Sequence, residues 1–278
     1  MSAAQLLVVG RASFLAREFV ASARPLAVRA IGHAEADEPR HYDGVRAIVN
    51  FAFAPALHDA PYQEWLDVDA KAARHAARAG AHYVMISSRR VYQAGVRWNA
   101  SETVAAEGAD TYGRNKLCIE RNLAAKLGER LTILRPGNVV GYEPIPGRRR
   151  FGAYLQNQLR ETGEIRLTVD PATRRDLVPV YFFCRVVREA LLRRLPGTFN
   201  VGAGNATAVG QAARWLIEGY GRGEIVADRG RVEDEFQLDT AALQHAFGLA
   251  CEPHGVERTL RDAGRRLALE TKQGAHGR

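Results

Sequence analysis

A short apolar run, Tyr83-Val-Met-Ile86, is followed directly by Ser87-Ser88, and further along the chain comes Tyr112-Gly-Arg-Asn-Lys-Leu-Cys-Ile-Glu120. The run has the length and composition of a buried β-strand, and the later stretch has helical spacing. Tyr112 and Lys116 are four residues apart and therefore share one helical face. A lysine ammonium beside a phenol favours the phenolate. With a serine hydroxyl, such a pair can give a proton to a carbonyl oxygen or take one from an alcohol.

The same alternation of apolar runs and helical patterns continues on both sides of this stretch. The strand candidates are 6–9, 26–31, 45–50, 83–86, 131–134 and 197–202, and the helix candidates are 12–23, 65–79, 112–126, 211–220 and 240–247. Strands separated by helices predict βαβ units, and continuous apolar strands predict a sheet covered on both faces. We therefore expect an α/β fold with a doubly wound parallel sheet.

The regular alternation of strand and helix patterns stops after Gly141, which suggests two structural units. A chain of 278 residues is long enough for one large domain or for a core with a smaller domain. We expect residues 1–141 and 177–204 to form the core, with the apolar stretch 177–192 returning to the main sheet and its helices. Residues 142–176 and 205–278 would form a smaller substrate-binding cap.

Composition narrows the class of protein. The chain is 46% hydrophobic and 25% charged, which excludes disordered and collagen-like classes. It contains neither a long apolar span nor a leader-like N-terminus, so we expect a cytoplasmic protein without membrane contact. Cys118, Cys184 and Cys251 are expected to be reduced, buried thiols.

The net charge of +8 favours anionic partners, whether nucleic acid or phosphorylated metabolite. Helix-turn-helix spacing, zinc cysteines and basic residues interleaved with aromatic ones are all missing from the sequence, which argues against nucleic acid. The histidines include no His-x-x-x-His pair, so we expect no metal site.

The first strand candidate runs into Val9-Gly10-Arg-Ala-Ser13-Phe-Leu-Ala16. A dinucleotide-binding turn needs small residues at three places, for a tight turn, for close approach to pyrophosphate and for helix packing. Gly10, Ser13 and Ala16 are small, but only one is glycine. By itself, this segment is also compatible with an ordinary strand-turn-helix.

Together these stretches resemble the extended short-chain dehydrogenases/reductases, in the nucleotide-sugar branch of the NAD-dependent epimerase/dehydratase family. The resemblance implies a Rossmann sheet with a C-terminal cap. The matching stretches are Met85-Ile-Ser-Ser-Arg-Arg-Val-Tyr92, Tyr112 to Glu120, Leu134-Arg-Pro-Gly-Asn-Val-Val-Gly141, Arg175-Asp-Leu-Val-Pro-Val180, Phe199-Asn-Val-Gly202 and 238–248.

The resemblance also implies roles for individual residues. Tyr112 would be the catalytic acid/base, Lys116 its pKa tuner and a ribose ligand, and Ser88 the partner of the substrate hydroxyl. The implied cofactor residues are Gly10, Arg11, Ser13, Phe14, Leu15, Ala16, His33, Asn50, Phe51, Ala52, Tyr112, Lys116, Pro136 and Gly137. The implied substrate residues are Ser88, Arg89, Asn138, Arg175, Arg229 and Arg231.

The expected reaction is hydride transfer on a nucleotide-diphosphate sugar, with a 4-ketoreductase as the leading hypothesis. A 4-epimerase with tightly bound NAD uses the same residues and stays open. A reductase of a non-nucleotide carbonyl compound ranks third. A catalytically silent dinucleotide sensor or scaffold is the alternative from another class. Arg89 and Arg90 beside Ser88 argue against a dehydratase, which needs acidic groups there.

The second strand ends in Ala30-Ile-Gly-His33, without the acid that binds the ribose 2′-hydroxyl in many NAD enzymes. Arg11 and Arg29 are nearby in sequence, so NADP is favoured over NAD. The missing fingerprint glycines suggest weaker cofactor binding or a displaced turn, and hence an exchanging cofactor.

Two further features keep alternative interpretations. Arg148-Arg-Arg150 could be a solvated loop or a lid over a diphosphate. The resemblance implies a homodimer that pairs the helix at 112–126. Leu117, Ile119 and Leu123 could serve that interface or the core.

Overall fold

The computed structural model describes residues 5–276 except 94, 96–97, 144, 146, 148–149 and 228–231, with the backbone alone for 272–276. The strands are β1 (Leu6–Val9), β2 (Val28–Ile31), β3 (Ala47–Asn50), β4 (His82–Ile86), β5 (Leu131–Pro136), β6 (Asn138–Val140), β7 (Glu164–Leu167), β8 (Arg174–Pro179), β9 (Gly197–Val201), β10 (Ala206–Ala208) and β11 (Glu224–Ala227). The helices are α1 (Phe14–Ser22), α2 (Val68–Ala79), α3 (Thr111–Leu127), α4 (Phe151–Thr162), α5 (Val180–Arg193), α6 (Val209–Tyr220), α7 (Ala241–Phe247) and α8 (Gly255–His276).

The main sheet has six strands in the order β2-β1-β3-β4-β5-β9, and all neighbours are parallel. The order reverses between β1 and β3. In open α/β sheets, ligands bind at the carboxyl ends of the strands where the order reverses. The doubly wound parallel sheet expected from the sequence is confirmed, and its topology places a binding crevice beyond residues 9, 50 and 86.

Helices cover both faces of this sheet. One face packs α1 and α5 against alternate strand residues such as Val8 and Val84. The other face packs α2 and α3 against Leu7, Tyr83 and their neighbours. The central strands β1, β3 and β4 are buried throughout, because the side chains on both faces of the sheet pack against helices. Ile119 and Leu123 belong to this core.

A smaller unit lies after β5. It contains a three-stranded sheet, β10-β8-β6, and a two-stranded sheet, β11-β7. The helices α4, α6 and α8 contribute to its apolar core. Helices α6 and α8 approach closely, since a Cβ built on Gly264 would lie 2.2 Å from the carbonyl oxygen of Leu216.

The sequence predicts that residues 177–192 return to the main sheet and its helices. This prediction is wrong for the strand β8 and right for the helix α5. β8 pairs with β6 and β10, whereas α5 packs on the main sheet. An apolar run predicts burial but does not say which sheet supplies the neighbours. The division into core and cap at the expected boundaries stays a prediction.

A buried ion pair joins α3 to β5. Arg135 donates to Glu120 through Nε at 3.0 Å and through Nη2 at 2.6 Å, and the two side chains are only 8% and 4% exposed. Ser87, at the end of β4, donates its hydroxyl to the same carboxylate. The Tyr92 hydroxyl accepts from Arg135 at 3.2 Å and donates to Asn200 on β9 at 2.7 Å. These bonds connect three strands and one helix below the carboxyl edge of the sheet.

Within the described ranges, no helix is long and apolar enough to cross a membrane. The same residues contain no cluster of His, Cys, Asp and Glu side chains that could hold a metal ion. All three cysteines are free thiols. Cys184 is buried as expected, but Cys118 and Cys251 are half-buried because they lie on partly open helix and loop surfaces.

Replacing Glu120 with Ala should lower the free energy of unfolding by ~3–5 kcal/mol, because Arg135 would keep a buried charge without its partner. Urea denaturation followed by circular dichroism measures this change. The matched control is Glu129→Ala, at an exposed position near the end of the same helix, with an expected change of ~0.5 kcal/mol or less. Equal losses in the two variants would contradict the role given to the pair.

Candidate active site

A cleft of about 1580 Å³ lies at the carboxyl ends of the main-sheet strands. Its walls come from the β1–α1 turn, the loop after β2, the segment after β3, the end of β4, the start of α3 and the smaller unit beyond β5. One continuous space therefore joins the turn at Gly10 to the side chains of Ser88, Tyr112 and Lys116.

Ser88, Tyr112 and Lys116 all line this cleft. Ser88 is the second residue after β4 and caps a short helical turn, where its hydroxyl accepts from the amide of Arg90 at 3.2 Å. Tyr112 lies in the first turn of α3, which begins after Asp110 because that carboxylate accepts from the amide of Gly113 at 2.7 Å. The sequence expectation of one site for the three side chains agrees with their position, and their catalytic roles stay predictions.

The ammonium group of Lys116 is held in place from two sides. Its Nζ donates to the carbonyl oxygen of Ile86 at 2.8 Å and lies 4.6 Å from the ring centre of Phe53. Only 4% of the residue is exposed. The amine is thus anchored at the end of β4, and Tyr112 precedes Lys116 by one turn of α3.

A buried carboxylate lies near the ammonium group of Lys116 and the side chain of Asn50. Asp69 on α2 accepts a hydrogen bond from the hydroxyl of Tyr83 at 2.9 Å. Burial raises the pKa of Asp69 to about 6, although the positive charge of Lys116 acts in the opposite direction. Sequence reasoning missed this residue, because its place on an Ala-rich helix carries no motif.

The β1–α1 turn is well formed despite its missing glycines. Gly10 has a φ of +89°, and a Cβ there would lie 2.8 Å from the amide nitrogen of Ala52. Ser13 has a φ of −72°, so it needs no glycine, and its hydroxyl accepts from the amide of Ala16 at 3.1 Å. Ala16 is fully buried against the sheet, where only a small side chain fits. These contacts form a tight turn without the other two glycines, and the expectation of weaker cofactor binding or a displaced turn stays a prediction.

Most of the expected cofactor residues line the cleft, namely Gly10, Ser13, Leu15, His33, Asn50, Phe51, Ala52, Tyr112, Lys116, Pro136 and Gly137. Asn50 shapes this wall, since its side chain accepts from the amide of Ala52 at 2.8 Å and donates to the carbonyl of that residue at 3.1 Å. The side chains of Phe14 and Ala16 instead point into the apolar core, because they form the buried face of α1. Those two can contribute only through their backbone.

The loop after β2 contradicts the basis of the NADP expectation. The carboxylate of Glu35 accepts from the amide of Gly32 at 2.7 Å and pairs with Arg11 at 2.8 Å. Its Oε2 is 3.0 Å from the position of a Cβ on Gly32. Arg11 is thus already paired and does not line the cleft, and Arg29 donates to the carbonyl of His41 at 2.9 Å. The amide of Gly32 and the charge of Arg11 hold the pKa of Glu35 below its ordinary value.

The far end of the cleft contains basic side chains. Asn138 and Arg175 line it as expected, together with Arg90 and Arg150. Arg89 does not, because it pairs with Asp234 at 2.5 Å and lies over the ring of Phe236.

The sequence offers four further arginines as candidates near the substrate. Arg229 and Arg231 lie outside the described residues, as do Arg148 and Arg149.

Among the aromatic residues of the cleft that were not expected, two lie beside Tyr112. Phe53 and His58 follow β3 and line the same wall as Tyr112. The imidazole of His58 lies parallel to the ring of Tyr112, with 4.9 Å between centroids and 11° between planes. No motif marks either residue, and only the folded chain brings them to the phenol.

Residues 43–202 match the sequence profile of the family described as "NAD dependent epimerase/dehydratase family". The match spans more than half of the chain, so the chain belongs to this family of enzymes. The extended short-chain dehydrogenase/reductase predicted from the motifs is confirmed. A comparison with curated protein sequences finds no significant match.

Solved structures with the same fold cover nearly the whole chain. The UDP-N-acetylglucosamine 4-epimerase from Methanobrevibacter ruminantium M1, in complex with UDP-N-acetylmuramic acid, has a TM-score of 0.82 at 14% identity over 98% of this chain and 100% of that chain. The UDP-glucose 4-epimerase from Thermotoga maritima with UDP-glucose has a TM-score of 0.76 at 19% identity, covering 97% and 99%. RMD from Pseudomonas aeruginosa complexed with NADPH has a TM-score of 0.75 at 18% identity, covering 96% and 99%. At these identities the likeness concerns the fold.

The residues present fit a dinucleotide. The bare α-carbon of Gly10 lets the segment after β3 approach closely at Ala52, which keeps the turn tight beside the first turn of α1. The amides in the first turn of α1 have no carbonyl partner within the helix, and such groups attract phosphate. Pro136 and Gly137 follow at the end of β5 on the same cleft.

Replacing Gly10 with Ala should lower stability more than the same change at Gly248. Both glycines have positive φ, but a Cβ at Gly248 would meet open space whereas one at Gly10 would meet Ala52. We expect Gly248→Ala to cost ~1 kcal/mol and Gly10→Ala ~1–3 kcal/mol more. Chemical denaturation measures both values. Equal costs would show that the contact with Ala52 is unimportant.

Proposed function

We propose that this enzyme is a nicotinamide-dependent oxidoreductase acting on a nucleotide-diphosphate sugar, and that it is a 4-ketoreductase. The observation that carries the proposal is the single cleft that joins the β1–α1 turn to Ser88, Tyr112 and Lys116. Such a cleft offers a place for a dinucleotide at one end and for a polar substrate at the other.

The three side chains have separate tasks. A bound nicotinamide would supply or accept the hydride. Tyr112 gives a proton to the substrate oxygen as the carbonyl is reduced, or takes it in the reverse direction. Ser88 holds the same oxygen by a hydrogen bond. Lys116, fixed on the carbonyl of Ile86, places a positive charge that stabilises the phenolate form of Tyr112 during the transfer.

The charge of the far end of the cleft supports an anionic substrate. Arg90, Arg150 and Arg175 reach this part of the wall, and guanidinium groups bind diphosphate in a planar, two-pronged fashion. The side chain of Arg175 is only 15% exposed, and its Nε is a buried donor without a partner among the described residues. Its Nη2 lies 3.9 Å from the carboxylate of Asp234, so a phosphate bound by the outer nitrogens of Arg175 would compete with that carboxylate.

The names of the structural relatives point in the same direction, since two of them are epimerases whose structures contain UDP-linked sugars. A 4-epimerase is the second candidate. The well-formed β1–α1 turn favours it, because such an enzyme keeps its cofactor bound. A dehydratase lacks support, because Arg89 and Arg90, next to Ser88, are paired with Asp234 and Asp110.

NAD is the proposed cofactor, in place of the NADP expected from the sequence. Glu35 puts a carboxylate beside the end of β2, and Asp37 puts a second one on the cleft wall. Each carboxylate already pairs with an arginine, Glu35 with Arg11 and Asp37 with Arg74, so neither arginine is free to hold a 2′-phosphate. A ribose 2′-hydroxyl can donate to a carboxylate at such a position.

Replacing Tyr112 with Phe should reduce turnover at least ~10²-fold, because general acid–base catalysis is lost. The dissociation constant for the dinucleotide should change little, since the ring is kept. Steady-state assays on 4-keto-sugar nucleotides and fluorescence titration with NADH measure the two quantities. A silent sensor would bind the dinucleotide and show no turnover even in the natural protein.

Replacing Glu35 with Gln should shift the preference for NADH over NADPH by about tenfold towards NADPH. The change removes a negative charge and frees Arg11 for a phosphate. Fluorescence titrations with both dinucleotides measure the ratio, and Asp43→Asn, at an exposed position of the same loop, is the control. Tighter binding of NADPH than NADH by the natural protein would refute the NAD assignment.

Reductase and epimerase differ in how they keep the cofactor. Native mass spectrometry of the purified protein, followed by heat denaturation and analysis of the released nucleotides, distinguishes them. Retained NAD at equal molar amount would favour the epimerase. A protein free of nucleotide, with NADH oxidised in step with a 4-keto-sugar nucleotide, would support the reductase.

A further inference from the structure

The phenol of Tyr112 is covered on one side by an imidazole. His58 ends a short helical turn, Pro55–His58, and its ring is parallel to that of Tyr112 within 11° at a centroid distance of 4.9 Å. Both rings line the cleft. This contact connects the segment after β3 to the first turn of α3, and it lies outside the serine, tyrosine and lysine set.

Phe53, His58 and Tyr112 form a cluster of three aromatic rings. The ring of Phe53 meets His58 edge-on at 5.0 Å and 76°, and meets Tyr112 edge-on at 5.1 Å and 82°. Edge-to-face and parallel offset arrangements are the favoured geometries of aromatic pairs. The same ring lies 4.6 Å from the Nζ of Lys116. Phe53 therefore fixes the imidazole, the phenol and the ammonium relative to one another.

The surroundings of His58 disfavour the charged form of its imidazole. Partial burial lowers the pKa of His58, and the nearby charges of Lys116 and Arg150 act in the same direction, while Asp59 and Asp110 oppose them. Neither ring nitrogen hydrogen-bonds to a side chain or backbone group within the described ranges. The ring contacts of the imidazole are thus the stack on Tyr112 and the edge contact with Phe53.

We propose that His58 is a positioning residue that holds the ring of Tyr112 in its orientation for proton transfer. This inference rests on the proposed function of Tyr112. A phenol attached through two rotatable bonds can swing away from the substrate oxygen, and displacement by about 1 Å can cost ~10²-fold in rate. Stacking on His58 and edge contact with Phe53 restrict that motion without using the hydroxyl group, which stays available to the substrate.

The test compares two substitutions at one position. His58→Ala removes the stack, and His58→Phe keeps a flat ring of similar size. We expect kcat of the Ala variant to fall ~10-fold or more, with KM and the dissociation constant of NADH within about threefold of the natural protein. The Phe variant should keep kcat within about threefold. The control is His254→Ala, whose natural side chain is 83% exposed.

A second measurement does not depend on the substrate. Incorporation of 3-fluorotyrosine gives a ¹⁹F resonance for Tyr112, identified by its loss in Tyr112→Phe. We expect this resonance to shift or broaden in His58→Ala and to stay near its natural position in His58→Phe.

Several outcomes would overturn the proposal. These are an unchanged ¹⁹F resonance in His58→Ala, an unchanged kcat in that variant, or a Phe variant as impaired as the Ala variant. The last outcome would mean that the ring nitrogens themselves bind the substrate. If the natural protein turns over no nucleotide sugar, the proposed function is wrong, and the ¹⁹F result alone decides whether His58 holds Tyr112.

Discussion

The buried ion pair between Glu120 and Arg135 is the interaction on which the geometry of the cleft depends. Both charges are almost completely removed from water, so each needs the other. The pair fixes α3 against β5, and the bond from Ser87 fixes the end of β4 to the same carboxylate. Ser88 is the next residue of that strand end, and Tyr112 lies two turns earlier on that helix. The reacting groups therefore keep their spacing because a buried pair below them does not move.

Asp176 and Gly202 belong to the family motifs but do not line the cleft, and their role is to hold neighbouring chain segments together. Asp176 accepts from the amides of Ala203 and Leu238 at 2.7 and 3.1 Å, and burial raises its pKa to about 6. Gly202 has no side chain because a Cβ would lie 2.4 Å from that carboxylate. Arg175 lines the cleft while its neighbour Asp176 connects β8 to the loops beyond it. A motif thus combines residues that bind with residues that hold the binding loops.

The sequence was informative where periodicity and motif coincide. The strands at 6–9, 47–50 and 82–86 and the helix that carries Tyr112 follow from apolar runs and helical spacing, and the topology follows from their alternation. The partner sheet of β8 does not, since burial is the same in either sheet. Glu35 and His58 were missed because each lies in a short helical turn whose direction only the folded chain determines. The expectation of NADP did not take Glu35 into account for this reason.

The edge of the main sheet at β2 has a consequence for how copies of this chain can meet. A free strand edge is a template for strand addition and hence for aggregation. β2 has only four residues, and the chain that follows it folds back as two short helical turns, tied to the strand by the bond from Arg29 to the carbonyl of His41. A second chain that added a strand here would have to break that bond and cover the charge of Arg29. Continuation of the main sheet into a second molecule is therefore disfavoured at the β2 edge.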